Sequence, residues 1–293
     1  MGLLAFDIGG TSVKCGIWEN DQLIEKKSFP SPETWEEMKA KLKQTKDTYA
    51  EHYQIEGIAI SSPGAVNQEE RVIEGASALP YLHFFPIYDE LEALLGGKVA
   101  IENDANCAAL AEVWKGAAKG KKNVLMVVVG TGIGGSVIID GEVQHGAHLF
   151  GGEFGFMLLN ETKTFSNLGT AVAMAKRYAK RKGLPEGDIS GKEVFQLAEA
   201  GDRIAFEEAE VFYRSLAQGL YNLQYSYDPE LILLGGGVSN KSDLIDHLQE
   251  KFKEILEVVM IAPFAPEIKP CFFKNDANLI GAVYNYIQKQ DTM

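Results

Sequence analysis

The chain of 293 residues is long enough for two domains of ordinary size. Its hydrophobic content of 46% and charged content of 24% are typical of a globular protein with a well-formed core. The net charge of −13 argues against a nucleic-acid partner, because phosphate backbones are bound by clustered Lys and Arg. A phosphate-bearing substrate would have to be bound by backbone amides, a helix N-terminus or a metal ion.

Cysteine spacing and hydropathy exclude further classes of protein. The three cysteines, Cys15, Cys107 and Cys271, are far apart and predict neither a disulfide framework nor a cysteine-rich zinc site. The N-terminal apolar run is too short for a signal peptide, and no later stretch reaches the length of a membrane span. We therefore expect a cytoplasmic protein with no membrane partner.

The predicted elements begin with three strands, "LLAFDIGG", "SVKCGIWE" and "QLIEKKSF", with Asn20-Asp21 as a hairpin tip. A charged helix is predicted from Glu33 to about Tyr53, and the strand "IEGIAISS" follows it. The next strand, "KVAIEN", runs directly into "DANCAALAEVWKG", whose apolar residues recur with helical spacing.

The second half repeats this order. The strand "VLMVVV", the glycine turn "GTGIGG", the strand "SVIID", a turn at Gly141 and "EVQ" predict a duplicated α/β unit. Helices are predicted over 169–182, 191–199 and 203–225. A buried strand, "PELILLGGGVS", and a C-terminal helix, "ANLIGAVYNYIQKQ", complete the chain.

The first glycine motif, "DIGGTSVK", carries an acid at a strand end, two glycines and two hydroxyls. Glycines let backbone amides approach a phosphate closely, hydroxyls can donate to its oxygens, and the acid can hold a hydrated Mg²⁺. A plain hairpin with a capping Asp fits the motif equally well. The candidate phosphate-binding residues here are Asp7, Gly9, Gly10, Thr11, Ser12 and Lys14.

Two later glycine motifs are weaker signals when taken singly. "GTGIGG" matches the dinucleotide-binding fingerprint, but the alternating "SVIIDGEV" that follows predicts a hairpin instead of a helix. We expect a phosphate-binding turn there. "LGGGVS" offers bare backbone against which adenine could lie, although such glycines are more often only turns. The candidate residues are Gly130, Thr131, Gly132, Gly235, Gly236 and Gly237.

Two acids are candidates for contacts with a substrate other than the phosphate-bearing one. Asp104 lies where a strand meets a helix N-terminus, which suits an acceptor of a hydroxyl proton, although helix capping is the alternative. The second "NDAN", residues 275–278, is predicted to cap the last helix. Glu153 stands among glycines and aromatic residues, so it lies either on a solvated turn or where it can meet a ligand.

Taken in order, these motifs resemble the ROK sugar kinases. The segments "FDIGGTSVK", "AISSPGAV", "VAIENDANCAALAE", "GTGIGG", "GGEFG", "DPELILLGGGVS" and "NLIGAV" follow the family's order across nearly the whole chain. The resemblance implies an α/β, actin-like ATPase (ribonuclease H-like) fold, with two duplicated lobes and an interdomain cleft. We expect a small lobe of residues 1–116 plus 280–293, a large lobe of residues 117–279, and a homodimer.

The resemblance also implies roles for single residues. Asp104 is expected to accept the proton of a sugar hydroxyl, usually the 6-OH, while Asn103 and Glu153 bind other hydroxyls and Gly64 contributes backbone. Asp7, Thr11, Thr131 and the motif glycines are expected to face ATP and Mg²⁺.

Two departures from the family pattern sharpen the expected substrate. Most members carry a His three residues after the Glu, followed by a zinc-binding cysteine cassette, whereas this chain has Phe156 and no cysteine there. We expect no zinc. Ala78 stands at about the place of a sugar-binding Asn. With "GEFG" followed by an aromatic residue and "ML", the chain resembles the family's zinc-free β-glucoside kinases. An aromatic face also stacks well on a second sugar or an aryl group. The alternatives are glucokinase, N-acetylmannosamine kinase, and a sugar-sensing regulator without a DNA-binding domain.

Overall fold

The structure is a computed structural model that describes residues 2–291, and within that range the chain forms two compact units. The first unit contains the residues up to Gly120, His145–Phe150, and those from Phe273 onward. The second contains Lys121–Gln144 and Gly151–Phe272. The lobe boundaries inferred from the sequence stay a prediction.

The first unit is built on a five-stranded sheet in which two antiparallel pairs are followed by two parallel pairs. In spatial order the strands are β3 (Gln22–Pro30), β2 (Ser12–Glu19), β1 (Gly2–Ile8), β4 (Ile55–Ser62) and β7 (Val99–Asn103). A separate ribbon pairs β5 (Ala65–Asn67) with β6 (Val72–Glu74). The helices are α1 (Trp35–Ala50), α2 (Ile87–Leu95), α3 (Asp104–Lys115) and α9 (Ala277–Asp291).

The second unit repeats the same order of strands. Its sheet runs β10 (Glu142–Val143), β9 (Ile133–Ile139), β8 (Val124–Val129), β11 (Leu231–Gly235) and β12 (Ile268–Pro270). Its helices are α4 (Phe165–Leu168), α5 (Ala171–Lys182), α6 (Gly191–Glu199), α7 (Arg203–Tyr227) and α8 (Leu244–Val259). Short 3-10 turns are formed by residues 154–156 and 237–240 in this unit and by residues 80–82 and 274–276 in the first unit. The predicted duplication of an α/β unit is confirmed.

The turns follow the residues that favour them. Asn20 and Asp21 have φ angles of 49° and 64°, as a two-residue hairpin between β2 and β3 requires. Asp140 and Gly141 have φ angles of 54° and 85° at the tip between β9 and β10. The glycine motif after β8 opens an antiparallel hairpin with β9, as its alternating continuation predicts.

Each unit has its own apolar core. In the first unit, α3 and α9 approach so closely that a Cβ on Gly281 would lie 1.7 Å from the Cys107 carbonyl oxygen. Cys107 is fully buried, and burial raises the pKa of its thiol well above the ordinary value. Across residues 2–291, no helix combines the length and apolarity that crossing a bilayer requires.

Candidate active site

Asp7 stands at the end of β1 and is only 6% exposed. Its Oδ1 accepts hydrogen bonds from Ser61 Oγ at 3.1 Å and from Asn278 Nδ2 at 3.0 Å, and its Oδ2 pairs with Lys14 Nζ at 3.2 Å. Hydrogen-bond donors around a buried carboxylate lower the free-energy cost of removing it from water. Because both oxygens already accept hydrogen bonds, the site fits a Mg²⁺ held through water better than one bound directly.

The first glycine of each predicted phosphate turn uses its amide inside the turn. Gly9 N–H donates to the Ser12 carbonyl at 3.1 Å, and Gly130 N–H donates to the Gly132 carbonyl at 2.9 Å. Each bond closes the hairpin, so any contact with a phosphate depends on the residues that follow. The following residues Gly10, Thr11 and Thr131 are exposed, as such a contact requires. Ala78, at the departure from the family pattern, lies beside Gly10.

The junction of β7 and α3 brings Gly64, Asn103 and Asp104 together. Asn103 caps the helix, since its Oδ1 accepts from the amides of Ala105 at 2.9 Å and Asn106 at 3.3 Å. Its Nδ2 donates to the Gly64 carbonyl at 3.0 Å. Helix capping, the alternative role for Asp104, is thus performed by Asn103, and Asp104 is the first residue of the helix proper and is partly exposed.

Gly64 cannot be replaced without distortion. It has a φ of 99°, and a Cβ there would lie 2.7 Å from Ile73 Cγ2 and 2.8 Å from His83 Cε1. Glycine at this position therefore allows the backbone conformation in which the Gly64 carbonyl oxygen accepts a hydrogen bond from Asn103 Nδ2.

Glu153 lies on an exposed turn of the second unit, immediately before a 3-10 turn of residues 154–156. Within residues 2–291, no hydrogen bond or ion pair of its carboxylate is found. The apolar surroundings suggested by the sequence are only half formed, because Phe154 is buried whereas Phe156 is 69% exposed. The turn thus offers a solvated carboxylate and an exposed ring to any molecule that approaches it.

Close backbone packing positions this turn. A Cβ on Gly152, whose φ is 93°, would lie 2.4 Å from the Gly135 carbonyl oxygen, and one on Gly155 would lie 2.1 Å from the Ile133 carbonyl oxygen. The Ile133 amide in turn donates to Ser166 Oγ at 2.9 Å. The segments "GTGIGG" and "GGEFG" therefore pack backbone against backbone, and this close packing requires glycine at Gly152 and Gly155. The sequence alone did not predict this constraint.

The third glycine motif divides into a buried and an exposed part. Gly235 is buried, and the place of its missing side chain is taken by Met126 and Cys271. Gly236, with a φ of 83°, lies against the Val129 backbone, and nothing lies within 4 Å of a Cβ on Gly237. The backbone available to a flat ring is that of Gly236 and Gly237.

Across residues 2–291, no cluster of three or more His, Cys, Asp or Glu side chains is arranged to hold a metal ion. The expected lack of zinc and the expected homodimer stay predictions.

The sequence profile of the ROK family matches residues 3–289. The chain belongs to the ROK family. Two proteins named β-glucoside kinase are similar to this ROK protein. The one from Listeria monocytogenes is 33% identical over 99% of each chain, and the one from Klebsiella pneumoniae is 34% identical over 98% of this chain and 97% of its own.

A solved structure extends the comparison to the fold. A ROK family protein from Streptococcus pneumoniae, in complex with sucrose, has a TM-score of 0.90 and 37% identity, with 100% of both chains covered. The expected actin-like, duplicated α/β fold is confirmed, and this ROK chain is a sugar kinase.

Proposed function

We propose that this kinase transfers the γ-phosphoryl group of ATP to the 6-OH of the non-reducing glucosyl unit of a β-glucoside such as cellobiose. The observation that carries the proposal is the turn that bears an exposed Glu153 carboxylate and, three residues later, a Phe156 ring that is 69% exposed. The carboxylate can accept sugar hydroxyls, and the ring can pack on a second sugar or an aryl aglycone.

The relatives support a glycoside-sized substrate. Two of them are named β-glucoside kinase, and the Streptococcus pneumoniae protein was solved with sucrose, a disaccharide. Free glucose is the second candidate, because Asn103 and Glu153 would bind the hydroxyls of a glucosyl ring whether or not it carries an aglycone.

In the proposed reaction, Asp104 accepts the proton of the 6-OH while the bond from that oxygen to the γ-phosphorus forms. The bond between the γ-phosphorus and the bridging oxygen breaks, and ADP leaves. Asn103, held by Gly64 and by the first turn of α3, fixes the direction from which Asp104 acts and offers its amide beside the sugar. By holding the sugar hydroxyl and the Asp104 carboxylate in a reactive orientation, these groups would lower the barrier to phosphoryl transfer.

The phosphates are assigned to the two glycine turns. The amides at Gly10 and Gly132 would bind phosphate oxygens, and the backbone of Gly236 and Gly237 would lie against adenine. Asp7 would hold Mg²⁺ through water, and the bound ion would neutralise phosphate charge during transfer.

The position of the new phosphate tests this proposal. Purified enzyme is incubated with ATP, Mg²⁺ and cellobiose, and the product is analysed by ³¹P and ¹³C NMR. We expect a monophosphate on the 6-OH of the non-reducing ring. Phosphate on another hydroxyl, or turnover of glucose with none of cellobiose or arbutin, would overturn the proposal.

A further inference from the structure

A buried acid lies directly before the Asn103–Asp104 junction and has no role in the proposed reaction. Glu102, the fourth residue of β7, is 1% exposed. Its Oε1 accepts from the Asn103 amide at 2.8 Å and from Asn106 Nδ2 at 3.0 Å. Its Oε2 accepts from Gln68 Nε2 at 2.7 Å and from His145 Nε2 at 2.9 Å.

The Oε1 contacts join the acid to the start of α3. One donor is the backbone of the residue that caps the helix, and the other is a side chain in its first turn. A displacement of the Glu102 carboxylate would therefore move Asn103 and, with it, the first helical residue, Asp104.

The Oε2 contacts join the same acid to His145 and Gln68. His145 begins the segment His145–Phe150, which packs in the first unit although the chain on both sides of it belongs to the second. An unpaired buried carboxylate is costly, and a cationic partner with a good hydrogen bond lowers that cost. His145 supplies such a hydrogen bond at 2.9 Å, and this bond raises the pKa of its imidazole, which favours the cationic form.

We propose that His145 is a positioning residue for phosphoryl transfer, acting through Glu102 to hold the Asn103–Asp104 junction in its reactive orientation. The inference rests on the proposed role of Asp104 as the base. Asp7, the residue proposed to hold Mg²⁺, is hydrogen-bonded or ion-paired to a different set of residues, Lys14, Ser61 and Asn278. Weakening the contact between His145 and Glu102 should therefore affect the sugar side of the reaction and leave ATP binding unchanged.

Two substitutions that differ by one methylene test the contact. In His145→Gln the amide nitrogen reaches about as far as Nε2 and can still donate to Glu102, whereas in His145→Asn it falls short. His145 lines a cavity of about 860 Å³ in the first unit, so neither shorter side chain is forced into a clash. The matched control is His148→Asn, at an exposed position of the same segment.

Steady-state kinetics with the best sugar substrate, and melting curves for every variant, give the readout. We expect His145→Asn to lower kcat by roughly ten- to a hundredfold, the cost of a misplaced catalytic group, with the KM for ATP within about twofold of wild type. His145→Gln should recover most of kcat, and His148→Asn should match wild type. Gln68→Leu, which removes the other Oε2 donor, should also lower kcat and spare the KM for ATP.

The two assignments fail separately. Asp104→Ala should lower kcat by roughly 10²–10⁴-fold, and its control Asp276→Ala, in the second "NDAN", should not. If Asp104→Ala stays active, the assigned base is wrong. If Asp104→Ala is inactive, three results would overturn the positioning role of His145. The kcat of His145→Asn could equal that of wild type, or His145→Asn and His145→Gln could lose the same factor in kcat. The third such result is a rise in the KM for ATP as large as the fall in kcat.

Discussion

Asn278 donates a hydrogen bond from Nδ2 to Oδ1 of Asp7 at 3.0 Å, across 271 positions of sequence. Asn278 is the last residue of the second "NDAN" and the second residue of α9, so the C-terminal helix supplies a partner to the acid at the end of β1. The C-terminal motif therefore does more than begin a helix. It completes the environment of the acid proposed to hold Mg²⁺.

Replacing Asn278 should weaken the use of Mg-ATP. Asn278→Asp places a second carboxylate about where the donor was, and like charges at that separation repel, so we expect a larger rise in the KM for ATP than with Asn278→Ala. The control is Asn275→Ala, an exposed Asn of the same motif. Equal KM values for ATP in all three variants and wild type would show that the contact has no part in nucleotide binding.

Removing the exposed ring should change substrate preference. Phe156→Ala should lower kcat/KM for an aryl β-glucoside such as arbutin by about three- to tenfold, since a stacking contact contributes about 0.5–1.5 kcal/mol. The value for glucose should stay within about twofold. Phe206→Ala is the control, because Phe206 is also strongly exposed but lies on α7. A uniform loss for both sugars would argue against contact with an aglycone.

The packing of the Glu153 turn can be tested on neighbouring glycines. A Cβ on Gly135 would lie 2.2 Å from the Met126 carbonyl oxygen and 2.6 Å from Phe154 Cε2, whereas one on Gly134 would meet nothing within 4 Å. Gly135→Ala should lower the free energy of unfolding by ~1–3 kcal/mol, and Gly134→Ala should leave it nearly unchanged. Urea titrations of both variants measure the difference. Equal midpoints would contradict the packing described for this turn.

The pair of His145 and Glu102 should make stability depend on pH. The imidazole pKa is raised above 6.5 chiefly by the hydrogen bond to Glu102, while burial and, more weakly, Lys289 on α9 oppose that shift. The contribution of this pair to the free energy of unfolding is therefore fully present below about pH 6.5 and is lost as the pH rises through the raised pKa of His145. The Tm difference between wild type and His145→Gln should shrink from about pH 6 to pH 9. A difference that grows with pH would contradict the charged pairing.

Local sequence signals predict elements well where turn and cap chemistry are explicit. Helix α6 has the predicted bounds, because Ser190 and Glu193 form a capping box at its start. The hairpins at Asn20-Asp21 and Asp140-Gly141 follow from residues that tolerate positive φ. Helix α8 was not predicted, although its buried Leu244, Leu248 and Phe252 recur at helical spacing.

The contacts of the candidate site were harder to predict than its residues. The bond from Asn278 to Asp7 and the pairing of His145 with Glu102 join distant segments, and no local pattern encodes them. The internal use of the Gly9 amide was hidden because a glycine turn looks the same in sequence whether its amide faces a ligand or its own hairpin.

The most direct test of the proposed function is the specificity of the purified enzyme, measured as kcat/KM by coupled detection of ADP. Cellobiose and arbutin are compared with glucose and N-acetylmannosamine under the same conditions. We predict higher values for the two β-glucosides. A preference of about tenfold or more for glucose or N-acetylmannosamine would contradict the assignment of a β-glucoside as the substrate.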